Sequence, residues 1–169
     1  MRIETHRLII KKPTVEDLET LVEEVGNPKV SYFLSHVPFP YTLKDAEFWL
    51  KITQENPYVF NCYLNSKLMG GIGITPDKNG VYELGYWFGH SYWGQGFGSE
   101  VVPCFLDFFL KKDPKIQIKA SYLEGNEASA KILIKNGFEV IGSGKRYCLS
   151  RKEDVPSIDL VLNREKFGN

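Results

Sequence analysis

Between residues 93 and 99 the chain reads Trp93-Gly94-Gln95-Gly96-Phe97-Gly98-Ser99, the segment whose residue types and spacing point most directly to chemistry. Nine of the fifteen glycines fall between Gly70 and Gly98, and this is their densest group. Glycine lets a backbone turn sharply and approach a ligand closely. Where such a turn opens a helix, the first N–H groups lack intrahelical partners and sit at the positive end of the helix dipole. They can then cradle an anion without a basic side chain. The dipole contributes only ~0.3–1 kcal/mol per interaction, up to ~2 in favourable geometry, so direct hydrogen bonds must supply most of the affinity. A phosphate or pyrophosphate suits such a loop; a tight strand-to-helix turn with no ligand is the alternative. Two nucleotide-binding loops fit worse. GxxxxGK[ST] requires a lysine that is missing here, and GxGxxG requires glycine where Ser99 stands.

The elements that must present this loop follow from periodicity. Thr5 to Lys11 reads as an opening strand closed by Pro13. Thr14, with Asp17 three residues on, predicts a capped helix running to Gly26, and Thr42 starts a second that ends before Pro57. Three β-rich stretches follow, Tyr58 to Leu64, Lys67 to Thr75 and Gly80 to Phe88, joined by turn residues as in an antiparallel meander. Phe97 to Lys112 is then a helix, Ile116 to Tyr122 a strand and Ala128 to Asn136 a helix stopped at Gly137. Phe138 to Tyr147 and Val155 to Asn163 are closing strands. The order βααβββαβαββ predicts an α/β (α+β) fold over residues 1–169 as one domain, a mixed, mostly antiparallel central sheet flanked by helices.

Composition narrows the partners. With 43% hydrophobic and 25% charged residues the 169-residue chain can bury a sizeable core, and 21 bases balance 21 acids, which argues against a general polyanion or nucleic-acid binder. The balance conceals an asymmetry: residues 14–55 carry three bases against eight acids, and residues 111–152 ten bases against four. That pattern suits a cationic group on one side and an anionic one on the other; solvated helix faces are the competing view. Cys62, Cys104 and Cys148 and the three histidines are scattered, so a metal site is not expected, and an odd, sparse cysteine count fits a reducing cytoplasm. The best apolar run, Val101 to Leu110, is too short to span a bilayer. A monomer and a homodimer both remain open.

At these residues the chain resembles the GNAT superfamily of acetyl-coenzyme A-dependent N-acetyltransferases, whose [QR]xxGx[GA] signature appears as Trp93-Gly94-Gln95-Gly96-Phe97-Gly98. Trp93 stands in place of the usual Gln or Arg. That departure is similar to a RimJ/RimL-type subgroup, whose GYW…YWGxG pattern reads here as Gly85-Tyr86-Trp87 and Tyr92-Trp93-Gly94-Gln95-Gly96. Glu4-Thr5-His6-Arg7-Leu8, Asn126-Glu127-Ala128-Ser129 and Lys135-Asn136-Gly137-Phe138 match the same subgroup in order, so the resemblance covers nearly the whole chain. It implies acetyl-CoA as cosubstrate, with no metal. The amides of Gln95, Gly96, Phe97, Gly98 and Ser99 would hold its pyrophosphate, and the strand ending Tyr86-Trp87-Phe88 would pair with its pantetheine arm, provided that strand splays from its neighbour. Asn126 resembles an asparagine that contacts the pantetheine, and is also an ordinary helix cap.

Acetyl transfer to an amine needs a neutral amine, a stabilised oxyanion and a proton for the leaving thiolate. Glu83, on the same strand face as Gly85 and Trp87, resembles the subgroup's carboxylate and is the candidate general base, with a substrate-ammonium anchor or a plain exposed carboxylate as alternatives. A main-chain N–H near Trp87 or Phe88 could meet the oxyanion. Many members place a proton-donating tyrosine seven residues after the asparagine, where this chain has Leu133, so Ser129 is the substitute donor and water or a back-bonded helix serine the alternatives. Tyr32, Phe33, His36, Phe39 and Tyr41 suggest an aromatic acceptor side for a small-molecule amine or a protein N-terminus; a plain satellite hydrophobic core is the competing view. A non-catalytic coenzyme A-binding sensor or interaction module is the reading from another class.

Overall fold

The chain opens with a hairpin of very short strands. In the computed structural model, which describes residues 2–168, β1 (Arg2–Glu4) turns back to pair antiparallel with β2 (Ile9–Lys11). Of the strand expected over Thr5 to Lys11 only Ile9–Lys11 is extended, and the unexpected β1 precedes it, because Thr5 opens a tight turn that runs to Leu8. Its N–H donates to the Leu8 carbonyl at 2.9 Å, and its hydroxyl accepts from the Leu8 N–H at 3.0 Å.

A single 3₁₀ turn (Val15–Asp17) leads into α1 (Leu18–Val25), and the Thr14 N–H donates to Asp17 Oδ2 at 2.8 Å, as the capping pattern requires. Asp17 is buried and ties the start of α1 to the sheet, accepting from Tyr63 Oη at 2.5 Å and Asn61 Nδ2 at 3.1 Å. A one-turn helix, α2 (Pro28–Ser31), was not foreseen; Asn27 caps it and Pro28 starts it. The Thr42–Asp45 capping box opens α3 (Leu43–Glu55).

Six longer strands follow: β3 (Val59–Leu64), β4 (Lys67–Pro76), β5 (Tyr82–Phe88), β6 (Ile118–Leu123), β7 (Phe138–Cys148) and β8 (Glu153–Leu162). Between them lie α4 (Phe97–Lys112), unbroken through Pro103, and α5 (Glu127–Lys135). All eight strands form one sheet in the order β1-β2-β3-β4-β5-β6-β8-β7, in which only β5 and β6 pair in parallel.

Apolar side chains bury on both faces. Val101, Val102, Phe105, Leu106 and Phe109 of α4 pack with Phe60, Ile72, Ile74 and Leu84 on one side. On the other, Leu18, Leu21 and Val25 of α1 and Ala46 and Leu50 of α3 pack on Tyr63 and Leu68. The acid-rich front half thus covers one face, and α4 lies across the sheet from it.

The feature that positions the site is a failure of pairing in mid-sheet. β5 and β6 match only at Tyr82↔Ile118, Glu83↔Lys119 and Leu84↔Ala120. Beyond that point β5 stays with β4 as far as Phe88, and β6 stays with β8 as far as Leu123. A wedge opens between them.

Candidate active site

Strand alternation decides which backbone groups line the wedge. The Gly89 N–H donates to the Met69 carbonyl at 2.9 Å and the Tyr82 N–H to the Gln117 carbonyl at 2.9 Å, so odd residues of β5 bond toward β4 and even ones toward β6. Past Leu84, Tyr86 and Phe88 therefore present main-chain groups to a gap with no strand in it. Trp93 takes one of them: its indole Nε1 donates to the Phe88 carbonyl at 2.8 Å. The tryptophan that departs from the usual signature thus finishes the strand. Trp87 is corrected on one point. Its register opposite Gly71 commits its amide to β4, so its contribution here is its indole, not its backbone.

The glycine loop lies at the wide end of the wedge. Gly94 (φ +73°) and Gly96 (φ +79°) hold left-handed conformations that a side chain would strain. Gly96 is the residue before the first turn of α4, and the first helical bond runs from the Glu100 N–H to the Gly96 carbonyl at 3.1 Å. The N–H groups of Phe97, Gly98 and Ser99 are thereby left without intrahelical acceptors. Gly98 packs closely on α5: a Cβ there would come within 2.7 Å of Ile132 Cδ1, which would have to turn aside.

The opening turn locks this loop in place. Arg7 Nε donates to Glu100 Oε2 at 2.6 Å, Arg7 Nη1 donates to the Gln95 carbonyl at 3.0 Å, and the guanidinium stacks 4.1 Å from the Phe97 ring centroid. Thr5 Oγ1 donates to Glu100 Oε1 at 2.5 Å. Burial pushes the Glu100 carboxyl up, but these donors outweigh it and hold it below its ordinary range. Gln95 differs from its neighbours: its side chain is tied to the Ser91 carbonyl at 2.8 Å and it does not line the cleft, whereas Gly96, Phe97, Gly98 and Ser99 do. That cleft, about 580 Å³, runs from the loop past Tyr86, Trp87 and Phe88 to Asn126 and Ser129.

A second cleft of about 660 Å³ lies against the α1 and α3 side of the sheet. Gly71, Gly73 and Gly85 in its lining bring no side chain into it. Gly71 is required there, because a Cβ would sit 2.6 Å from the Trp87 indole nitrogen. Of the aromatic residues expected on this side, Phe33, His36 and Tyr41 line the cleft. Tyr32 and Phe39 do not; their rings stay exposed. Burial first, and Asp45 second, push the Tyr41 phenol up to about 12.

Glu83 also lines this second cleft, about one-third exposed, with Oε1 2.8 Å from Arg146 Nη1. Arg146 Nη2 stands 3.6 Å from Asp159, so one cation sits between two carboxylates. Sequence reasoning missed Arg146. It comes from β7, which reaches the site only through the β6-β8-β7 pairing, and no local pattern marks it.

Six residues line both clefts: Phe33, Leu34, Tyr86, Trp87, Asn126 and Ser129. At this junction the Asn126 side chain caps α5 by accepting from the Ser129 N–H at 3.1 Å. The Ser129 hydroxyl pairs with the Tyr86 phenol at 2.8 Å and, among the described residues, with no helix carbonyl. Burial pushes the Tyr86 phenol up to about 12. Leu133 is buried in the main core, where it offers no proton. Among the described residues no group of three or more His, Cys, Asp or Glu side chains could hold a metal ion, and no helix is long and apolar enough to cross a membrane.

Residues 7–139 match the family model for the acetyltransferase (GNAT) domain. The chain belongs to the GNAT acetyltransferase family. It is an acetyl-CoA-dependent N-acetyltransferase, in place of the non-catalytic module that the sequence left open. It is 27% identical to the uncharacterized N-acetyltransferase p20 of Bacillus licheniformis, with 97% of each chain covered. Mycobacterium smegmatis RimJ, solved in complex with CoA-disulfide, superposes with a TM-score of 0.81 at 14% identity, covering 100% of this chain and 90% of that one. RimL, the ribosomal L7/L12 alpha-N-protein acetyltransferase solved with coenzyme A, superposes with a TM-score of 0.76 at 17% identity, covering 96% of this chain and 98% of that one. The GNAT fold expected from the ordered motifs holds, and RimJ and RimL share it.

Proposed function

We propose that this GNAT enzyme, acting as one domain, transfers the acetyl group of acetyl-CoA to a primary amine by direct attack in a ternary complex, the acceptor being a protein N-terminus or a small-molecule amine. The observation that carries this reading is the meeting of two clefts at Tyr86, Trp87, Asn126 and Ser129, one built for an anionic, amide-bearing arm and the other for a cation.

On the cofactor side, the amides of Gly96, Phe97, Gly98 and Ser99 hold the pyrophosphate, and the wedge edge at Tyr86 and Phe88 hydrogen-bonds the pantetheine as an added strand would. Asn126 closes the inner end. The Tyr86 N–H, facing the gap where the two clefts meet, is the donor best placed to meet a developing oxyanion.

On the acceptor side, Glu83 receives the ammonium and removes its proton directly or through water, leaving a neutral nitrogen to attack. The Arg146 contact supports a second role for Glu83, anchoring the amine while water takes the proton, because the guanidinium already occupies Oε1. Glu83, Asp159 and Arg146 together leave one net negative charge, which favours a cationic acceptor. Ser129 faces the departing sulfur. The two Glu83 roles separate kinetically: loss of a base lowers kcat, and loss of an anchor raises KM.

A thiol-release screen of acetyl-CoA against peptides and small amines tests the proposal. Thiol release that depends on an amine is the expected result, and turnover confined to peptides assigns the protein N-terminus. Acetyl-CoA uptake with no amine acetylated contradicts it. The absence of a membrane-crossing helix among the described residues is compatible with action in the cytoplasm, as a monomer or homodimer.

A further inference from the structure

The usual tyrosine of the thiolate-protonating position is replaced by buried Leu133, yet the junction of the two clefts still contains a phenol, contributed from the opposite wall. Tyr86 projects from β5 across the wedge and meets Ser129 in the first turn of α5, Oη to Oγ at 2.8 Å, with the Ser129 carbonyl farther off at 3.4 Å. Each hydroxyl carries a single hydrogen. If the serine used its hydrogen on the phenol or on a helix carbonyl, it would have none to offer a ligand. Ser129 makes no helix-carbonyl bond among the described residues, so only the direction of the Tyr86 bond decides where its hydrogen points.

We propose that Tyr86 is a positioning residue of the transfer step: its phenol donates to Ser129 Oγ and so turns the serine's own hydrogen toward the coenzyme sulfur. This rests on the acetyl-CoA reading of the site but not on the identity of the acceptor. A negative sulfur favours that direction, since the chain Tyr86 to Ser129 to sulfur places every donor hydrogen on the side of the charge. As nitrogen attacks the thioester carbon and the carbon–sulfur bond breaks, Ser129 hydrogen-bonds the departing thiolate. The ammonium has already given one proton to Glu83 or water; the attacking neutral amine loses a second to solvent as the amide forms, the sulfur gains one from solvent, and an N-substituted acetamide and the free thiol result. Burial keeps the phenol neutral, so it remains a donor throughout the working range.

The test is to titrate the thiol of bound CoA by its ultraviolet absorbance in the wild-type enzyme, Tyr86→Phe, Ser129→Ala and the double variant, with kinetics of the same four proteins once an acceptor is in hand. In the wild type the bound thiol titrates about one unit lower than in either single variant, since a hydrogen bond to a charged group is worth about that much. The double variant shows no further change, and kcat falls together in all three variants while KM for acetyl-CoA stays within about twofold. Tyr86→Phe titrating like the wild type overturns the proposal, as does a double variant in which the two losses add. Failure of every amine in the screen, with the thiol shift intact, would count against the acceptor reading and leave this one standing. No uptake of CoA by the wild type overturns both.

Discussion

The two clefts that meet at Ser129 are built from different materials. The cleft proposed for the cofactor rests on main-chain groups: unpaired amides at the start of α4 and the free edge of β5. The cleft proposed for the acceptor is shaped by side chains from distant segments, with Glu83 from β5, Arg146 from β7 and aromatic residues from the α2–α3 connection. The main-chain half recognises a ligand through features any sequence possesses once its glycines permit the geometry. The side-chain half can change its ligand with one substitution. Binding of the constant donor and choice of the acceptor are thereby separable, and mutations should sort by cleft.

The sharpest separation is expected at Glu83. Glu83→Gln should lower kcat by about 10²–10⁴-fold in steady-state assays while calorimetry shows acetyl-CoA affinity unchanged. A change confined to KM would assign the anchoring role instead. On the other side, Gly96→Val forces a side chain into a left-handed conformation at a cost of about 1–3 kcal/mol. Acetyl-CoA affinity should fall by roughly tenfold or more, with the acceptor KM little altered. Loss of acceptor affinity in that variant would break the division between the clefts.

Smaller effects sharpen the comparison. The Arg7–Glu100 clamp holds the loop through a carboxylate whose folded pKa lies below its unfolded value. Its stabilisation is therefore complete above the ordinary carboxylate pKa and disappears as pH falls through the lowered one. Melting curves should show a wild-type loss of stability in that acid window that Glu100→Gln reduces. Asn126→Ala removes the α5 cap and should cost ~1 kcal/mol in urea unfolding. Arg146→Met breaks a partly exposed pair worth ~0.2–1 kcal/mol, so it should shift the acceptor KM only a few-fold and leave acetyl-CoA affinity as it was.

The same division governs what could be read from the chain. Local signals were legible: the Thr14 and Thr42 caps, the meander from Tyr58 to Phe88, and the glycine turn into α4 each depend on neighbours within a few residues. The splay of β5 from β6 is a condition that pantetheine pairing imposes, yet no local pattern marks it, because it depends on β8 holding β6 away. Arg2–Glu4 is too short to show alternation, and α2 is a single turn with no amphipathic face. Arg146 beside Glu83 is a pairing across the sheet set by register, and Tyr86 on Ser129 joins β5 to the first turn of α5; neither follows from spacing in the chain. Trp93 was visible as a departure from the signature, but its indole-to-carbonyl bond needed the fold to explain it.

Amide hydrogen exchange with and without acetyl-CoA, resolved residue by residue, tests most directly whether bare backbone holds the cofactor. Slower exchange on the order of tenfold or more at Tyr86, Phe88, Gly96, Phe97, Gly98 and Ser99 is the predicted result, with the Trp87 amide unchanged because β4 already holds it. Protection that misses those six amides, or that appears at Trp87 instead, would contradict it.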